Sequence, residues 1–221
     1  MKLLIEAIVK FLFGVLIVGV LLFIPAGSFS YFNAWLFMFL LFVPMFIVGI
    51  ILCFFNPRLL KSRLDAREVE GDQNLVLLFS GIMFILGFVV VGFNYRFGFV
   101  ILPNYLVILF SILFLIFYFL YGVVLFQNTY LSRVIRVSTD QHVIDTGFYS
   151  IVRHPMYLVT ILLFLCIPFI LNSLISFFIF LFYPFIIVKR IKNEEFILER
   201  DLKGYSEYKK RVKYRLIPFL W

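Results

Sequence analysis

With 221 residues, 64% of them hydrophobic and only 14% charged, and with a mean hydropathy of +1.08, the chain lies far outside soluble globular domains and reads as a polytopic membrane protein. Its two cysteines, Cys53 and Cys166, sit inside apolar runs and are too few for a disulfide framework or a zinc site. The net charge of +8 comes from basic residues that flank apolar segments, which serves membrane topology and anionic headgroups and not nucleic acid.

Leu3 to Ile24 forms a first span, with Glu6 and Lys10 one helical turn apart; no small-residue cleavage pattern follows, so it reads as retained. Tyr31 to Phe55 is a second span, with Trp35 near its entrance and a kink expected at Pro44, and Asn56-Pro57 breaks it. The segment from Asn56 to Asn74 carries Arg58, Lys61, Arg63 and Arg67 against Asp65, Glu68, Glu70 and Asp72, a mixed-charge interfacial helix. Leu75 to Phe93 is a third span. A tight connection, Asn94 to Gly98, leads to a fourth from about Phe99 to Phe126.

Met156 to Leu171 and Ser173 to Val188 are two apolar runs separated by Asn172. Each is about 24 Å long as a helix, under the roughly 30 Å hydrocarbon core, which predicts a short antiparallel hairpin, thinned or partly re-entrant, with bends at Pro168 and Pro184. The last helix is expected to continue out of the membrane as KRIKNEEFILERDLK and to stop at Gly204. Ser206 then caps a short helix, and Leu216 to Trp221 lies back on the membrane or the fold. The expected fold is all-α: a polytopic bundle of about six spans, divided into a four-span region, 1–126, and a region of hairpin and tail, 127–221. Both termini fall on the side that holds 19 of the 20 Lys and Arg residues, leaving Arg96 alone opposite, so that side is predicted to be cytoplasmic.

Two clusters carry candidate chemistry. In Arg153-His154-Pro155 the proline suits a first helical position and keeps His154 out of the α conformation, which is expected to leave the helix's first N–H groups open to a carboxylate or phosphate. The bland alternative is a topology anchor beside a solvated histidine. On the departing helix Arg190 and Glu194 are placed to pair, whereas Glu195 faces Glu199, a repulsion that a bound cation would relieve. The alternative there is a solvated charged face. The hairpin brings the two clusters together, giving one pocket open toward lipid that suits a zwitterionic cofactor and an amphiphilic acceptor. Two histidines, His142 and His154, are too few for a histidine-rich metal site, and no metal is assigned.

The ordered set His142, Thr146-Gly147, Tyr149, Arg153-His154-Pro155, Tyr157, Asn172, Arg190, Glu194-Glu195, Tyr205, Tyr208, Val212 and Pro218 resembles the isoprenylcysteine carboxyl methyltransferase family, in a wider group with phospholipid N-methyltransferases. The resemblance covers roughly the last third of the chain. It implies an integral membrane methyltransferase that uses S-adenosylmethionine on the cytoplasmic side. By it, His142, Gly147, Tyr149, His154, Pro155, Tyr157, Glu194, Glu195, Tyr205 and Tyr208 would hold the cofactor, and Arg153 or Arg190 would face a lipophilic acceptor entering from the bilayer. Phe148 and Val159 depart from the family's usual proline and glycine, and Val159 is expected to narrow the pocket or reshape acceptor choice. Competing expectations are an N-methyltransferase of phospholipids, a membrane sterol or enone reductase using NADPH, and a membrane scaffold with no activity.

Overall fold

The computed structural model describes residues 2–65, 71–131, 137–138 and 140–221, with residues 71–73 described by their backbone only. Arg67, Glu68 and Glu70 of the expected interfacial helix, and the side chain of Asp72, lie outside the described residues. Among the described residues all regular structure is helical. Five helical segments are long and apolar enough to cross a membrane, Lys2–Ala26, Phe32–Phe55, Asn74–Phe97, Asn104–Gln127 and Leu174–Asp201, and Pro155–Ile170 is a shorter apolar helix. The chain is an integral, multi-pass membrane protein.

The first helix, α1 (Lys2–Ala26), turns at Gly27 into α2 (Phe32–Phe55). Asn56 ends α2 and starts α3 (Pro57–Leu64): its side chain accepts the Leu59 N–H at 3.1 Å, and Pro57 takes the first position, where a missing N–H costs nothing. Leu59 and Leu60 bury the inner face of α3, as an interfacial helix requires. α4 (Gly71–Phe97) packs against α1, and α5 (Asn104–Gln127) lies against α2 and the later hairpin. Two boundaries differ from expectation. Asn94 to Phe97, read as a connection, continue α4, because Gly98 in the left-handed region supplies the stop. α5 begins only at Asn104, because Pro103 holds the extended conformation before it.

The hairpin is α6 (Pro155–Ile170) followed by a broken arm, α7 (Leu174–Phe180) and α8 (Tyr183–Asp201). Asn172 turns it in the left-handed region, at φ 57°. The Asn172 carbonyl accepts from Asn94 Nδ2 at 3.0 Å, the Ile170 carbonyl from Asn33 Nδ2 at 2.8 Å, and the Leu171 carbonyl from the Tyr31 hydroxyl. These bonds fix the tip beside the start of α2 and the last turns of α4. The short hairpin therefore reaches the far end of the bundle instead of stopping partway. The second arm breaks at Leu181 and Phe182, just ahead of Pro184, which cannot donate to the preceding turn. α8 then ends at Asp201, earlier than expected. Gly204, at φ 86°, is the N-cap of α9 (Tyr205–Arg211), which places Ser206 inside that helix without a capping bond.

Aromatic side chains knit the centre, where the Phe84 ring meets those of Phe88, Phe164, Phe180 and Tyr183 at centroid distances of 4.7–6.2 Å. Others face outward, such as Phe54, Phe55, Phe119 and Phe185, as a phenylalanine-rich lipid surface predicts. Where α1 crosses α4, a Cβ on Gly92 would lie 2.9 Å from the Leu22 carbonyl oxygen and 2.9 Å from the Ala26 nitrogen, both backbone atoms. Gly92→Ala is expected to force the two helices apart and cost about 1–3 kcal/mol. Thermal unfolding in detergent would register this as a lowered midpoint, against an unchanged or slightly raised one for Gly49→Ala, where a Cβ meets open space.

Candidate functional site

Approaching α6, the chain makes a short 3₁₀ turn, Gly147–Ser150. Gly147, at φ 60°, lies over Gln127, where a Cβ would come within 2.6 Å of that side chain, and Gln127 Oε1 accepts the Phe148 N–H at 3.1 Å. The turn buries Tyr149, whose carbonyl accepts the Tyr208 hydroxyl at 2.7 Å and ties α9 to this segment. His154 takes φ −126° and ψ 57°, outside the α region, and Pro155 is the first residue of α6, as the sequence predicts.

Of the N–H groups around this helix start, those of Arg153, His154, Tyr157 and Leu158 are engaged within the protein. The tail returns alongside, so that Arg153 N–H donates to the Tyr214 carbonyl and His154 N–H to the Arg215 carbonyl, each at 2.9 Å. Tyr157 and Leu158 N–H groups both turn back to the His154 carbonyl. Backbone pairing with the tail thus takes up the two N–H groups just ahead of the helix.

Glu195 sits at the centre of a buried cluster. Its Oε1 accepts from Arg153 Nε at 2.7 Å and lies 3.3 Å from His154 Nε2, while Oε2 accepts from Arg215 Nε at 2.9 Å. The remaining reach of Arg153 is spent on the tail, with Nη1 donating to the carbonyls of Val212 at 2.7 Å and Lys213 at 2.8 Å. Glu199 is drawn off to Lys209 Nζ at 2.6 Å. The expected repulsion between Glu195 and Glu199 is thus relieved by the protein's own cations. Arg153 and Glu195 form a brace that fixes the tail, helix α8 and the start of α6 together.

Glu194, one residue earlier, faces elsewhere. The Tyr157 hydroxyl donates to Glu194 Oε2 and accepts from Arg190 Nε at 2.9 Å, so it links the two charged residues across the hairpin. Arg190 also lies 6.0 Å from the Tyr157 ring centroid. These groups line a cavity of about 770 Å³. Its polar end brings together His142, Tyr149, Arg153, His154, Tyr157, Arg190, Glu194, Tyr205 and Tyr208; its apolar end runs between Leu4, Ile8 and Phe11 of α1, Met45 and Phe46 of α2, and Leu77 of α4. Gly147, Pro155 and Glu195 stand behind this wall and shape it. Val159 packs in the core and does not line the cavity, so it does not narrow the pocket.

Several lining residues had no distinct signal in the sequence: Arg63 of α3, Tyr118 and Tyr121 of α5, Asn128, Tyr130 and Tyr183. Only the spacing of Tyr118 and Tyr121, which puts both on one face of a phenylalanine-rich apolar helix, marked any of them. Tyr130 orients His142, its hydroxyl lying 2.9 Å from Nδ1. Tyr205 Oη is buried and has no hydrogen-bond partner among the described residues, a donor that the fold supplies and does not use. Burial pushes the Tyr205 phenol above its ordinary pKa; the Glu195 and Glu194 charges add to this and Arg153 opposes it. Burial raises the Tyr208 phenol likewise, against the pull of Arg153. Both therefore remain protonated donors at neutral pH.

Fold and site together define a helical membrane protein with a charged pocket that opens into an apolar corridor. Residues 107–200 match the sequence model of the isoprenylcysteine carboxyl methyltransferase (ICMT) family, a family of methyltransferases, which bears out the resemblance drawn from Arg153-His154-Pro155 and Glu194-Glu195 and supports a membrane methyltransferase. Mouse (Mus musculus) Delta(14)-sterol reductase TM7SF2 is 30% identical over 92 residues, 40% of this chain and 22% of the mouse protein. The chain thus spans about a fifth of the length of that curated relative.

Proposed function

We propose that the chain is a methyltransferase that takes its methyl group from S-adenosylmethionine and delivers it to a lipophilic acceptor reached from the bilayer, with a prenylcysteine-like or other lipidic carboxylate as the best fit. The observation that carries this reading is the shared cavity: a polar end with an unused buried phenol and a carboxylate, continuous with an apolar end between α1 and α2. The donor set fits a zwitterionic nucleoside cofactor. Glu194 offers a carboxylate to a cationic group, and Tyr205, Tyr149 and His142 offer polar contacts around an aromatic-lined space. When bound, the cofactor supplies a methyl group on a sulfonium, whose C–S electron pair stays with sulfur as the acceptor's nucleophile takes the methyl.

The chain's own residues hold and exclude. Tyr157 and Arg190 fix the Glu194 carboxylate, the Arg153–Glu195 brace holds the tail over the pocket, and the aliphatic walls keep water from the reacting end. Holding both partners at near-attack distance in such a pocket supplies about 7 kcal/mol or more of the barrier in favourable cases. A carboxylate acceptor needs no base, only a cation to orient it; an amine acceptor would need a carboxylate such as Glu194 to take its proton. On this reading the pocket, both termini and the basic loops lie on the cytoplasmic side.

A second reading, a membrane reductase using a nicotinamide cofactor, is favoured by the similarity to the mouse sterol reductase. Incubating membranes that contain the chain with methyl-labelled S-adenosylmethionine decides the reaction class. Label is expected on prenylcysteine analogues and not on phospholipid amines; no transfer to either, together with NADPH-dependent reduction of an enone, would replace the first reading with the second.

A further inference from the structure

Among the cations that line the cavity, Arg63 stands apart. Arg153 is neutralised by Glu195, Arg190 is tied through Tyr157 to Glu194, and Lys10 bonds to Glu6 at 2.6 Å. Arg63 donates instead to the Tyr121 hydroxyl, an uncharged group, with its guanidinium carbon 5.8 Å from that ring's centroid. No Asp or Glu pairs with it among the described residues. A half-buried guanidinium on the wall of an apolar membrane cavity pays for desolvation without return unless an anion meets it.

Its position is built, not incidental. Asn56 caps α3, Leu59 and Leu60 bury its inner face, and Ser62 Oγ lies 2.9 Å from the Leu59 carbonyl and 3.1 Å from that of Leu131. At the end of α3, Lys10 Nζ holds the Leu64 carbonyl at 2.7 Å. Tyr121 of α5 then anchors the guanidinium. Arg63 and Glu194 both line the cavity, so α3 and α8 each contribute a charged group to its wall.

We propose that Arg63, held by Tyr121, is the residue that binds the anionic head of the acceptor and so selects carboxylate acceptors over neutral or cationic ones. The planar fork of donors suits a carboxylate, and the apolar corridor beside it takes the acceptor's chain. The inference rests on the methyltransferase reading for what happens next, but the anion site itself stands on the geometry alone.

The test uses the full chain in detergent and two probes, N-acetyl-S-farnesylcysteine and its carboxamide, with binding read by calorimetry and S-adenosylmethionine affinity measured in parallel. The wild type is expected to bind the carboxylate roughly tenfold or more tightly than the carboxamide. R63Q should erase that preference, R63K should keep part of it, and S-adenosylmethionine affinity should stay unchanged in both. Y121F, which retains the charge and loses its anchor, should show a weaker preference at an unchanged melting midpoint, and it decides the matter if R63Q does not fold. Equal binding of the two probes by the wild type, or a preference that survives R63Q and Y121F, overturns the proposal. An Arg63-dependent preference in a chain that does not bind S-adenosylmethionine would keep the anion site and remove the methyltransferase reading.

Discussion

Glu195→Gln is expected to lower the stability of the fold by about 3–5 kcal/mol and, on the proposed function, to abolish binding of the methyl donor. The Glu195 and Arg153 side chains are each only 4% exposed, so loss of the one charge strands the other in a buried site. Arg215 loses its partner at the same time. Arg153 bonds to the carbonyls of Val212 and Lys213, so the disturbance travels along the tail to α9 and the two tyrosines on the cavity wall. Differential scanning calorimetry in detergent checks the stability and donor titration checks the site. Glu194→Gln is the control. It removes a carboxylate from the cavity and leaves the brace intact, so it should cost binding with little change in melting.

Tyr157→Phe tests the link between Arg190 and Glu194. Its hydroxyl links Arg190 to Glu194 and is engaged at both ends by charged groups. The ring stays and the packing with it. Losing the group that orients the Glu194 carboxylate is expected to lower affinity for the donor by about tenfold or more. The melting midpoint should also fall, since hydrogen bonds to charged groups contribute about 1.5–3 kcal/mol to stability. Equilibrium dialysis with labelled donor measures the first, and thermal unfolding the second.

How much of this was legible depended on the range of each interaction. Spans in this chain announce themselves by length and hydropathy, and Asn172, Pro155 and Asn56 mark turns and starts by local chemistry that acts within a few residues. Arg153 and Glu195 were recognisable as a set because the hairpin puts them together. Their roles were not. That Glu195 is neutralised inside the protein depends on Arg215, twenty residues away and placed by a tail whose backbone pairs with Arg153 and His154. No period or propensity encodes that pairing. The break at Leu181 was half visible, since Pro184 announced a bend but not where the hydrogen bonds would fail. Arg63 was the least legible. In the sequence it is one charge among eight in a mixed segment, and only the fold, which packs α3 on α1 and α2 and bonds Arg63 to Tyr121 of α5, brings it to the cavity.

The pocket between α6, α8 and α9 is the centre of this account, and cofactor choice tests it most directly. Isothermal titration of the detergent-purified chain with S-adenosylmethionine, and separately with NADPH, should give saturable one-to-one binding of the first, weakened in Tyr157→Phe and Glu194→Gln, and none of the second. Saturable binding of NADPH with no heat from S-adenosylmethionine would contradict it.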